Sequence, residues 1–275
     1  MDWREAVARA LAEDIGPGDV TTETTVPPDL RARGVFLAKA AGVLSGLDVA
    51  AECFRQVDPA CSFQARLAEG DAFEPRTRLA VVIGPARALL TAERTALNFL
   101  QRLCGTATMT RAFVERVADT QAWIVDTRKT TPGLRLLQKA AVRAGGGHNH
   151  RFALYDGVLL KDNHLAVAGG VTAAVGAARA GAPHTLRIEV EVTNLEQLEE
   201  AIAAEADVAL LDNMDLESLR QAVQLAAGRI LLEASGGVNL DTVAAIAATG
   251  VDLISVGALT HSAPAVDISL EIEPL

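Results

Sequence analysis

LRIEVEVTNLEQLEEAIAAEADVALLDNMDLESLRQAVQLAAGRILLEASGG (186–237) holds three short apolar runs separated by Ala- and Leu-rich segments of helical spacing. The runs are LRIEVEV (186–192), VALLDN (208–213) and RILLEASGG (229–237). Each is too short for a helix, ends on a polar or charged residue and is followed by a turn, which is the signature of βα units. Three further runs of the same kind are WIVDTRK (123–129), GVLLKDN (157–163) and DLISVGALT (252–260). Helical segments are expected over 172–181, 194–204, 215–226 and 240–249, repeating at about 21–23 residues. Between the first two strands a helix is expected with Thr131 as N-cap, Pro132 in its first turn and Gly145 at its end. Six strands are evident where the standard barrel has eight. The expectation is therefore an incomplete parallel α/β barrel over residues 106–265, with its chemistry at the C-terminal strand ends.

Upstream the order of elements does not repeat, which predicts an open α+β sandwich over residues 1–105. It begins with an amphipathic helix over 2–13, with Val7 and Leu11 on one face, ended at Gly16-Pro17-Gly18. GDVTT (18–22) reads as a polar loop, 33–46 as an antiparallel strand, 48–57 as a helix, and 61–83 as two or three strands broken at Glu69-Gly70-Asp71. Thr91 is the expected cap of TAERTALNFLQRLCG (91–105), a helix apolar on nearly all sides and so buried, as a hinge or a subunit interface. The alternating tail, 266–275, reads as a strand added back to this first sheet.

The chain has 275 residues and a net charge of −10, which argues against a nucleic-acid surface. Yet DTRKTTPGLRLLQKAAVRAGGGHNHRFALYDGVLLK (126–161) carries seven Lys/Arg against two acids. A local positive field in an acidic chain suits a small polyanion. Three Cys without a CxxC pair, and no export signal, lead to an expected cytoplasmic location; no run of 18 apolar residues predicts a membrane span.

The strand ends present Arg128 and Lys129, then Lys161, Glu191, Asp212, Ser235-Gly236-Gly237, and Gly257. Arg128 offers a planar fork for a carboxylate or phosphate and Lys129 a point charge. Clustering at strand ends favours this over loose surface charge. Arg135, Lys139 and Arg143 form a basic stripe that reads equally as a solvated helix face or a support for the anion site. His150 and Arg151, beside a glycine run where backbone can approach a ligand, read as ligand contacts; His148 and His164 stay open. No HxH or HExxH pattern with further ligands points to a bound transition metal. Lys161 suits either a Schiff-base amine or an anion contact, the neighbouring cations favouring the second. Glu189 and Glu191 alternate with apolar residues and face the barrel interior, where they need cations, hydroxyls or a metal. With Asp212 they suit sugar hydroxyls, a cationic transition state or Mg²⁺ through water, with a structural ion pair as the plain alternative. Ser235-Gly236-Gly237 and Gly257-Ala258 read as phosphate-binding turns ahead of helices.

ERTALNFLQRLCGTAT (93–108), residues 126–151, LLKDNH (159–164), IEVEV (188–192), LLDN (210–213), EASGG (233–237), VGALTHS (256–262) and EDIGPGDVTT (13–22) together resemble the quinolinate phosphoribosyltransferases across essentially the whole chain. EASGG departs slightly from a pattern that more often has a second Ser. The resemblance implies an N-terminal open sandwich beside an incomplete barrel. It implies transfer of phosphoribose from 5-phosphoribosyl-1-pyrophosphate to quinolinate, with loss of pyrophosphate and CO₂, to give nicotinate mononucleotide in NAD biosynthesis. On the same footing, Arg128, Arg151 and His150 hold quinolinate, and Arg94 reaches in from a partner subunit of a homodimer or larger assembly. Lys129 and Lys161 meet the reacting anions, Glu191 and Asp212 the ribose and Mg²⁺, and Ser235, Gly236 and Gly257 a phosphate. Mg²⁺ travels with the pyrophosphate and no redox cofactor is expected. The competing readings are a molybdate-operon or nicotinate-using relative of the same fold, a Schiff-base aldolase using Lys161, and a catalytically silent regulator.

Overall fold

RARGVFLA buries every second residue, Ala32, Gly34, Phe36 and Ala38, while its arginines stay outside, so one face of this strand is committed to a core. The computed structural model describes residues 3–275 and divides them into two units. The first takes the chain up to Arg111 together with Thr130–Gly146 and Thr260–Leu275; the second is Ala112–Lys129 and Gly147–Leu259.

In the first unit α1 (Trp3–Ile15) buries Ala6, Val7 and Leu11. Residues 18–22 are not a loop: Asp19 accepts the N–H of Thr22 at 3.0 Å and caps a short helix, α2 (Val20–Thr25). β1 (Arg31–Ala38), β2 (Gly42–Val43), α3 (Leu47–Val57), β3 (Ser62–Ala65), β4 (Ala72–Phe73) and β5 (Arg78–Pro85) follow. The C-terminal strand Ile268–Pro274, β1, β5 and β3 form one antiparallel sheet in that order, with Phe36 opposite Leu270 on one side and Ala80 on the other. Phe36, Phe54 and Phe63 pack with ring centroids 5.7–6.2 Å apart.

α4 (Ala86–Arg116) is a single helix of 31 residues that starts straight after Pro85. Thr91 therefore lies inside it and is not its cap; its hydroxyl donates to Asp19 Oδ2 at 3.0 Å. Ala96, Leu97, Phe99, Leu100, Leu103 and Cys104 are all buried, as the double apolar stripe predicts. α5 (Arg135–Ala144) likewise begins later than Thr131. Gly133 at φ +80° holds a turn first, and Leu134 occupies the N-cap without a side-chain bond. Lys139 is fully buried, Arg135 half-buried and Arg143 exposed, so the basic stripe is solvated only at its far end.

The second unit contains β6 (Trp123–Val125), β7 (Val158–Leu160), α6 (Asp162–Ala168), α7 (Val171–Gly181), β8 (Ile188–Val192), α8 (Leu195–Ala203), β9 (Val208–Asp212), α9 (Leu216–Ala226), β10 (Leu231–Ser235), α10 (Val243–Ala247) and β11 (Leu253–Ser255), and the chain leaves it within α11 (Ala258–His261). Six parallel strands run in the order β6-β11-β10-β9-β8-β7. β6 and β7 do not pair with each other, and this is the incomplete barrel. Asn194 and Asp215 cap α8 and α9 by accepting backbone N–H groups at 2.9 and 2.8 Å. GVLLKDN is strand only to Leu160, because Lys161 is already the N-cap of α6. Beyond β6 the chain returns at His148, which bridges Val125 and stacks on Trp123 at 4.2 Å. No helix among the described residues is long and apolar enough to cross a membrane.

Candidate active site

Asp126, the first residue after β6, is completely buried and fixes the loop that carries two of the expected ligand contacts. Its Oδ1 accepts the N–H of His150 at 2.9 Å and its Oδ2 accepts the side-chain amide of Asn149 at 2.6 Å. Asp156 does the same further on, accepting the N–H groups of Phe152 and Ala153 at 2.7 and 2.8 Å. Between them Arg151 donates to the Gly157 carbonyl at 3.0 Å. Burial first, and the Arg128 charge second, pull the Arg151 guanidinium below its ordinary value. Both Arg128 and Arg151 keep a buried Nε with no hydrogen-bond partner. Two partly desolvated guanidiniums close enough to repel each other make a site built for an anion.

On the next strand ends, Lys161 Nζ lies 3.3 Å from Glu191 Oε2, with the lysine half-exposed. An amine that must be neutral to attack a carbonyl is poorly served by an ion pair, which favours the anion-contact reading of Lys161. Asp212 ends β9 level with Ser235 at the end of β10 and accepts from the Asn213 amide at 3.0 Å. Gly236 and Gly237 have φ of +98° and +63°. A Cβ on Gly236 would sit 2.2 Å from Asn213 Oδ1, so glycine is required for the β9 and β10 ends to meet. The helix expected over 240–249 covers only Val243–Ala247, so the glycine turn is not itself a helix N-terminus. Gly257 immediately precedes α11. Lys129 is exposed on the loop after Arg128.

Inside the barrel His150 Nδ1 accepts the N–H of Arg151 at 2.7 Å, and its Nε2 lies 2.8 Å from Glu189 Oε2 and 3.7 Å from Glu233 Oε2. Glu233 is 1% exposed. Burial, then the Glu189 charge, push its carboxyl well above the ordinary carboxylate range. This trio borders a cavity of about 530 Å³ that also takes in Arg151, Trp123 and Arg187. Trp123 opens β6 and Arg187 immediately precedes β8, so the cavity reaches to the N-terminal strand ends; Lys161, Glu191 and Asp212 stand outside it, at the opposite ends.

Sequence reasoning missed Glu233 and Asp126. The alternation that marked Glu189 also marks Glu233 within LLEAS, and that signal was available. Asp126 entered only as one of the two acids of the basic stretch, and nothing in its neighbourhood signals its backbone partners. Of the glycine run, Gly145 is the C-cap of α5, as expected, and is also needed for packing. A Cβ on Gly145 would lie 2.4 Å from the Ala107 carbonyl and 2.6 Å from Thr110 Cβ, so this glycine serves packing against α4. Arg94 is exposed on α4, in the first unit.

Two desolvated guanidiniums on the loops after the first barrel strand, with a lysine–acid pair and a glycine turn at the C-terminal ends of other strands of the same open barrel, are the features of an enzyme class that handles a small polyanionic substrate. Within that class the chain belongs to the quinolinate phosphoribosyltransferase family. The family's N-terminal domain model matches residues 19–104 and its C-terminal domain model residues 106–271. The chain is 46% identical to the nicotinate-nucleotide pyrophosphorylase [carboxylating] of Mycobacterium leprae, covering 98% of this chain and 96% of that one. Its structure matches that of NadC from Streptococcus pyogenes with a TM-score of 0.95 at 44% identity, over 98% and 96% of the two chains. Human nicotinic acid phosphoribosyltransferase, at 13% identity, a TM-score of 0.63 and coverage of 100% and 74%, shares the fold alone.

Proposed function

We propose that this enzyme transfers phosphoribose from 5-phosphoribosyl-1-pyrophosphate to quinolinate and releases pyrophosphate and CO₂, giving nicotinate mononucleotide for NAD biosynthesis. The observation that carries the reading is the pair Arg128 and Arg151, each with a buried, unpartnered Nε. A pyridine dicarboxylate supplies two carboxylates for two guanidiniums, whereas nicotinate leaves one uncompensated. His150 stands beside them.

Alignment of the carboxylates on the arginines orients the ring nitrogen toward C1 of the ribose, which is the main entropic contribution. The C1–O bond to pyrophosphate breaks as the N–C1 bond forms, and positive charge develops on the ribose, which Glu191 and Asp212 stabilise. Lys129 and Lys161 meet the departing pyrophosphate, and Ser235, Gly236 and Gly257 take the 5-phosphate. The ring nitrogen, now cationic, accepts the electron pair left when the neighbouring carboxylate departs as CO₂. Asp212 and Glu191 offer hard oxygen donors that fit Mg²⁺ through water, and Mg²⁺ bound with the pyrophosphate supplies further neutralisation of its charge. The reading includes a homodimer or larger assembly in the cytoplasm, with Arg94 completing a neighbour's pocket, and no nucleic-acid or membrane partner.

The test is pyrophosphate release with Mg²⁺ and 5-phosphoribosyl-1-pyrophosphate, run with quinolinate and, separately, with nicotinate. Turnover with CO₂ release on quinolinate alone is expected, and Arg128→Lys is expected to raise the quinolinate KM at least about tenfold, since a point charge cannot replace the fork. Equal turnover of nicotinate without CO₂ would overturn the assignment.

A further inference from the structure

His164 takes no part in the transfer steps, yet it holds a residue that does. Lys161 stands where β7 ends and α6 begins. Leu160 is the last residue paired with β8, opposite Val190, and the Lys161 carbonyl already accepts the Leu165 N–H at 2.9 Å. The Lys161 N–H belongs to neither the sheet nor the helix, and His164 Nδ1 accepts it at 3.0 Å. A ring nitrogen that accepts carries no proton, so the His164 proton is on Nε2. Both backbone groups of Lys161 are thus tied to the first turn of α6, and Leu165 in that turn is buried. From this base the side chain reaches β8, with Nζ 3.3 Å from Glu191 Oε2. The lysine is held at both ends, by an imidazole at its backbone and a carboxylate at its ammonium.

His164 is the third residue of α6, the position from which a side chain reaches back to the N-cap N–H, and that position ordinarily carries Glu or Gln. Imidazole makes the same bond without a negative charge. The acids already present here are engaged, Glu191 with Lys161 and Asp162 with the Asn163 N–H at 2.7 Å. A further carboxylate, neutralised by no cation, would oppose the approach of a polyanion. We propose that His164 is a positioning residue for Lys161: it fixes the lysine backbone so that the ammonium meets the departing pyrophosphate, and it does so as a neutral acceptor because a charged one would repel that group. The kinetic consequence rests on the phosphoribosyl-transfer reading above; the geometry does not.

Three variants separate the parts of this role. His164→Gln restores a neutral acceptor and is expected to keep kcat/KM for 5-phosphoribosyl-1-pyrophosphate within about threefold of wild type. His164→Ala removes the acceptor and is expected to lower it at least about tenfold, with the quinolinate KM nearly unchanged. His164→Glu restores the bond with a charge. It is expected to melt no lower than His164→Gln, while its KM for 5-phosphoribosyl-1-pyrophosphate rises at least about fivefold. Because His164 acts through Lys161, adding His164→Ala to Lys161→Ala is expected to change the residual activity by less than about twofold. Full activity in His164→Ala, equal activity in the Gln and Glu variants, or an undiminished effect of His164→Ala without the lysine overturns the proposal. Amide hydrogen exchange judges the bond without turnover. The Lys161 N–H is expected to exchange at least about tenfold faster in His164→Ala than in wild type, and to stay slow in His164→Gln; equal rates in wild type and His164→Ala overturn it. If the wild type fails to turn over quinolinate, the functional reading falls, while the exchange rates still judge the hold of His164 on Lys161.

Discussion

Asp126 concentrates more consequence in one side chain than any of the cations it supports. Asp126→Ala leaves the His150 N–H and the Asn149 amide without their acceptor in a buried place. Urea denaturation is expected to show a loss of about 2–4 kcal/mol, two unmade bonds to a charged group, together with weaker quinolinate binding. In the first unit, buried Glu52 receives hydrogen bonds from Arg55, which together with Gln56 and the arginine's charge hold its carboxyl below the usual range. The stability this contributes is present above the unfolded carboxyl's value near 4.5 and is lost as pH falls through the lower folded value. Melting curves on acidification are therefore expected to fall less steeply for Glu52→Gln than for wild type. Single residues were legible where chemistry and position coincide, as with Arg128, Lys161 and Glu191 at strand ends. Asp126 was not, because a carboxylate that serves only backbone N–H groups several residues ahead leaves no pattern in its own neighbourhood.

Among the elements, the ends of β9 and β10 are the most tightly specified. Gly236→Ala places a side chain at φ +98° and drives its Cβ into Asn213 Oδ1. A cost of about 1–3 kcal/mol is expected from backbone strain alone, read as a lowered melting temperature, with a raised KM for the phosphorylated substrate because the turn must open. Strands β8, β9 and β10 and helices α7, α8 and α9 could be read from the period of their apolar residues, since each buries one face. Boundaries elsewhere shifted where capping intervened, since Lys161 turns an expected strand end into the start of α6 and Asp19 turns a loop into α2, and β10, β11 and α10 are shorter than the runs that marked them. Thr91 misled because a capping residue type ahead of an apolar run looks the same inside a helix as at its start. Pro85, directly before Ala86, was the better signal of where α4 begins.

For the molecule as a whole, the count of six strands sufficed to anticipate an open barrel, but not the order in which they lie or the interleaving of the chain between the two units, which depend on contacts remote in sequence. The proposed sharing of Arg94 between subunits has a direct test. Co-purified mixed assemblies of Arg94→Ala and Arg128→Ala protomers are expected to recover part of the activity that each homogeneous variant lacks, because one kind of pocket then carries neither lesion; verified mixtures that stay inactive would show that the arginine is not shared. The pairing of β1 with Ile268–Pro274 carries a consequence of another sort. While the polypeptide is being translated, the outer flank of β1 has no neighbour until nearly all the intervening chain has emerged, and through that interval it offers bare amide and carbonyl groups to any passing strand. A nascent chain stalled before residue 268 is thus expected to be the species most in need of a chaperone.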